Sequence, residues 1–69
     1  MSYAEFIKET DEKIIKAINT HNKLIFLMSV DLGESDVKSA EKYYVAKGCK
    51  FEYRLCPRKL YDIIISWRL

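Results

Sequence analysis

Two alternating segments flank the chain's single proline, and they constrain the fold more than any other feature. In the first, Phe51, Tyr53 and Leu55 point one way and Lys50, Glu52 and Arg54 the other. In the second, Tyr61, Ile63, Ile65 and Trp67 share one face, while Asp62, Ile64, Ser66 and Arg68 share the opposite one. A period of two is the signature of a strand with one covered face. The intervening Cys56-Pro57-Arg58-Lys59-Leu60 predicts an antiparallel hairpin with a five-residue loop. Register follows from charge. Placing Leu55 opposite Tyr61 sets Tyr53 across from Ile63, Phe51 across from Ile65 and Arg54 across from Asp62, whereas a slipped register faces Glu52 with Asp62.

Upstream of the hairpin the period lengthens. Ser2 followed by Glu5 is a capping-box pattern. Tyr3, Ile7, Ile14, Ile18 and His21 then recur at three- and four-residue steps, with Phe6, Ile15 and Ala17 beside them. This amphipathic helix is expected to fade at Asn19-Thr20-His21-Asn22. Lys23 to Val30 reads as a strand apolar on both faces, the pattern of a central strand. A second helix is expected from an N-cap at Ser35, with Val37, Ala40, Tyr43, Tyr44 and Ala46 as its apolar side and Lys47-Gly48 as its end.

The expected class is therefore α+β, an α/β sandwich of one domain over residues 1–69 in the order α-β-α-β-β. The helical crossover predicts that the first two strands run parallel, and the hairpin that the last two run antiparallel. This makes a three-stranded mixed sheet with both helices mainly on one face. At 69 residues a single core is all the chain can build, and domains of this size bury only about 60% of their unfolded surface. Large enzymes are thereby excluded. The longest apolar run, Leu24 to Met28, is far short of the roughly 20 residues of a membrane-spanning helix. Without a signal-like N-terminus, Cys49 and Cys56 are expected to be reduced thiols in a cytoplasmic setting.

Val30-Asp31-Leu32-Gly33-Glu34-Ser35 resembles, over six residues, the phosphate-binding strand loop of actin and sugar-kinase-type ATPases. In those folds the loop leads into another strand and a second phosphate loop exists; here a helix follows. The plainer reading is a strand-to-helix connection with carboxylates at a positive helix end. Asp31, Glu34 and Asp36 could meet Mg²⁺ but lack the fixed spacing of a calcium loop. One histidine and two cysteines fall short of a four-ligand zinc site. No catalytic, metal or cofactor set is expected; a third reading is a toxin-type ribonuclease with Arg, Lys, Tyr or His as acid–base groups, of which only His21 is of a type whose unperturbed pKa lies near neutrality.

Binding remains. Residues 1–39 carry five lysines against seven carboxylates, and residues 40–69 seven basic groups against three acidic ones. The outer sheet face, with Ile64 and either Ile25 and Leu27 or the alternate set Leu24, Phe26, Met28 and Val30, is expected to be an apolar centre with a charged rim. The expected contact surface for a protein partner, possible homodimerisation included, is Arg54, Arg58, Lys59, Asp62, Ile64 and Arg68. An alternative surface for RNA or DNA is Lys47, Lys50, Arg54, Arg58, Lys59 and Arg68. A residue usage weighted to AT-rich codons suits a phage or mobile-element product. On that reading the chain is a small regulatory inhibitor of a host protein.

Overall fold

The computed structural model describes residues 1–68. Helix α1 (Tyr3–Asn19) leads to strand β1 (Leu24–Val30), helix α2 (Glu34–Ala46), strand β2 (Lys50–Cys56) and strand β3 (Leu60–Ser66). The α-β-α-β-β order and the α+β class are as the sequence implies. Strand placement differs. β3 lies between β1 and β2, and both pairings are antiparallel, so the sheet is antiparallel throughout rather than mixed. β1 and β2 do run in the same direction, with β3 inserted between them. The apolarity of β1 on both faces reflects one covered and one open face at a sheet edge, not a central position. The central role falls to β3, whose consecutive Ile63, Ile64 and Ile65 suit a strand paired on both sides.

The hairpin register is the expected one, with Phe51 opposite Ile65, Tyr53 opposite Ile63, Arg54 opposite Asp62 and Leu55 opposite Tyr61. Its loop is shorter than expected. Cys56 pairs with Leu60, leaving a three-residue turn, Pro57–Lys59, in which Arg58 and Lys59 both have positive φ. β1 carries an irregularity: Leu27 pairs with Ile63 but Val30 pairs with Tyr61, one residue more than on β3. Ser29, at φ 53°, absorbs this bulge. The bulge switches the parity of the strand, so Val30 joins Ile25 and Leu27 in packing on the core.

Both helices cover one face of the sheet. Phe6 of α1 and Val37, Ala40 and Tyr44 of α2 bury against Leu27, Phe51, Tyr61, Ile63 and Ile65. Each fully buried isoleucine or phenylalanine contributes on the order of 1.5–3 kcal/mol. The buried stripe of α1 is Phe6, Thr10 and Ala17, flanked by Tyr3, Ile7 and Ile14; Ile15 and Ile18 face outward. Ser2 caps α1 by accepting from the Glu5 amide at 3.2 Å. α2 starts one residue before the expected cap, with Gly33 as its N-cap and no side-chain bond there.

The two helices end alike. Gly48 and Cys49 donate to the Val45 and Tyr44 carbonyls, and His21 and Asn22 donate to those of Ile18 and Ala17. Such paired closing bonds need a left-handed residue just past the helix. Gly48 fills that place at φ 88° and His21 at φ 63°. Between the helices, Asp11 accepts from the Tyr44 hydroxyl at 2.8 Å and from the Tyr43 hydroxyl at 3.4 Å. Burial, and then this bond to a carboxylate, push the Tyr44 hydroxyl pKa above its ordinary value.

Candidate functional site

The uncovered face of the sheet is built by parity. On β3 the inward residues are Tyr61, Ile63 and Ile65, so Asp62 and Ile64 point outward. Pairing carries this to the neighbours: Phe26 of β1 and Glu52 of β2 lie opposite Ile64, and Arg54 lies opposite Asp62. Leu24, Phe26 and Met28, not Ile25 and Leu27, thus occupy the open face, while Val30, expected to share their side, packs on the core beyond the bulge. Leu24 is 53%, Phe26 51% and Met28 71% exposed. Beside this row, Phe26, Glu52, Tyr53, Arg54, Asp62 and Ile64 line a shallow depression of about 260 Å³.

Asp62 organises the polar part of this face. One carboxylate oxygen accepts from the Ser29 amide at 3.0 Å, and the other accepts from Arg54 Nη2 at 3.0 Å. The central strand thereby holds the bulge of one edge strand and a cation of the other. The Ser29 amide first, and the Arg54 guanidinium second, hold the Asp62 carboxyl below its usual range. Along β2, Lys50 and Glu52 pair at 3.4 Å. The open face therefore combines a bare apolar row with two ion pairs.

Arg54, Asp62 and Ile64 are brought together as the sequence suggests. Arg58 and Lys59 stand apart at the hairpin tip, exposed, and Arg68 lies past the opposite end of β3. The basic set considered for nucleic acid is divided in the same way. Lys47, Lys50 and Arg68 line a depression of about 390 Å³ with Gly48, Ser66 and Trp67. Arg54 is occupied by Asp62. Tyr61 and Phe51 are buried and offer no stacking platform, while Tyr53 and Leu55 of β2 are 37% and 60% exposed.

The remaining candidates are dispersed. His21 closes α1 and is exposed. Cys49 and Cys56 are free and partly buried, and burial raises the Cys49 thiol pKa. Glu34 pairs with Lys38, one helical turn on, at 3.4 Å. Among the described residues no three His, Cys, Asp or Glu side chains converge to hold a metal ion, and no helix is long and apolar enough to cross a membrane. The bulge at Ser29 and the Asp11–tyrosine bonds had no counterpart in the sequence reading. The bulge is hidden because Leu24, Phe26, Met28, Val30 and Leu32 alternate without a break, so nothing in the pattern marks the change of parity. Comparisons with protein-family models, curated proteins and solved structures found no match.

Proposed function

We propose that this chain is a non-enzymatic docking module that binds a protein partner through the open face of its sheet. The observation that carries the reading is the row Leu24, Phe26 and Met28, exposed side by side with Ile64 beside it. Apolar side chains bordered by paired charges make the centre and rim of a modest protein interface. Partner chemistry follows from the charges left over. Arg58 and Lys59 make no ion pair among the described residues, so the complementary surface is apolar with an acidic border. In a phage or mobile-element setting, such a module acts by occupying a functional surface of a host protein. The test is capture from host lysate followed by titration of the recombinant partner. Ile64→Lys should weaken binding at least tenfold, as expected for a residue at an interface centre. Ile15→Lys, on the outer side of α1, should leave binding unchanged. The opposite pattern refutes the proposal.

A second reading rests on the gathering of Lys47, Lys50 and Arg68 beside Trp67. On it, single-stranded RNA or DNA runs over this end of the sheet. Affinity for an oligonucleotide would then fall steeply with salt and further on Lys50→Ala. Weak binding that is insensitive to salt removes this reading.

A further inference from the structure

One end of the sheet gathers cations around a concavity that no carboxylate lines. Lys47 follows α2, Lys50 opens β2 opposite Ser66 of β3, and Arg68 stands two residues beyond. With Gly48, Ser66 and Trp67 they line the depression of about 390 Å³. The depression on the open face differs, since there Arg54 meets Glu52 and Asp62. The negative end of α2 is closed off, because the Tyr44 and Val45 carbonyls already accept from the Lys47, Gly48 and Cys49 amides. Among the described residues Lys47 and Arg68 form no ion pair, and Lys50 pairs with Glu52 alone, both partners being exposed. An exposed pair contributes little and yields readily to a stronger partner. The one buried side-chain donor without an acceptor among the described residues, the Trp67 indole N–H, also belongs to a residue of this depression.

We propose that this depression binds a phosphate monoester, carried as the end group of a nucleic-acid strand or of a small metabolite. At neutral pH a monoester carries about −1.5 to −2 charges and three acceptor oxygens, whereas a backbone diester carries a single charge. Three cations less the neighbouring Glu52 leave an excess of two, which matches the monoester. Lys47 and Lys50 supply ammonium donors, Arg68 a fork suited to two phosphate oxygens, and Ser66 a hydroxyl. The inference rests on the second reading for its location only, since a strand whose backbone passes over this end needs no terminal phosphate.

The chain's single tryptophan gives the readout. At constant ionic strength, methyl phosphate should shift the Trp67 indole N–H resonance saturably, and dimethyl phosphate should bind about tenfold more weakly. Lys50→Ala and Arg68→Ala, both at exposed positions, should each weaken methyl phosphate binding about fivefold, while Arg58→Ala at the hairpin tip should leave it unchanged. A short oligonucleotide with a terminal phosphate should bind about tenfold more tightly than its dephosphorylated form if the end group belongs to a strand. If methyl phosphate binds and the end group adds nothing, the source is a small metabolite, and the second reading fails only when neither oligonucleotide binds. The absence of a saturable response to methyl phosphate overturns the inference whatever the oligonucleotides do. Equal affinities for the monoester and the diester, or a loss in Arg58→Ala equal to that in Lys50→Ala, also overturn it. The ligand comparisons use the wild-type chain and hold if a variant fails to fold.

Discussion

Asp62 belongs to β3 but serves the other two strands, and its pH dependence is calculable in sign. An unfolded aspartate titrates near pH 3.9. The folded carboxyl lies lower because the ionised form accepts from the Ser29 amide and from Arg54. Its stabilisation is therefore fully present above the unfolded value and is lost as pH falls through the lower, folded one. Urea midpoints for wild type and Asp62→Asn should differ at neutral pH, and the gap should begin to close only as pH falls below about 4, toward the lower folded value. A gap that ignores pH contradicts this account. His21 presents the opposite case, a residue that its own backbone disfavours. A non-glycine side chain in the left-handed region costs about 1–2 kcal/mol, and glycine's entropy cost returns part of that. His21→Gly is expected to stabilise the fold by about 1 kcal/mol, which for a domain this size raises Tm by about 4–8 °C. An unchanged or lowered Tm would show that the imidazole makes a compensating contribution.

Among the elements, the two helices share little direct contact, and Asp11 is the clearest polar link between them. Tyr44 lies under α2, stacks parallel to Phe51 at 6.1 Å, and turns its hydroxyl toward α1. Tyr44→Phe keeps the ring and removes the bond. Since hydrogen bonds to charged groups contribute about 1.5–3 kcal/mol, a loss of that size in urea unfolding is expected. The same substitution in an Asp11→Ala background should cost much less, because the partner is already gone. Equal losses in both backgrounds would place the energy of Tyr44 elsewhere. The helix ends obey a simpler rule. Lys47-Gly48 was readable from residue type and position alone, whereas His21 closes its helix through a conformation that histidine rarely adopts, so only the polar run around it was informative.

At the scale of the molecule, legibility tracked the range of the interactions involved. Hairpin register was readable because Arg54 and Asp62 lie close in sequence and because alternation fixes which side chains meet. Strand order was not, since the double-sided apolarity of Leu24–Val30 describes an edge strand with a bare face as well as a buried central one. The candidate site was legible in its polar part, Arg54 and Asp62 around Ile64. Its apolar row depended on which parity of β1 faced the helices, a matter settled by pairing over more than thirty residues. That strand order also governs how the chain is born. β3, to which both other strands pair, is synthesised after them, so no part of the sheet can assemble while the nascent chain ends before residue 60. The uncharged β1 must wait, without a strand partner, through the synthesis of α2 and β2. This is the interval in which a nascent chain is most open to pairing with a neighbour on the same messenger.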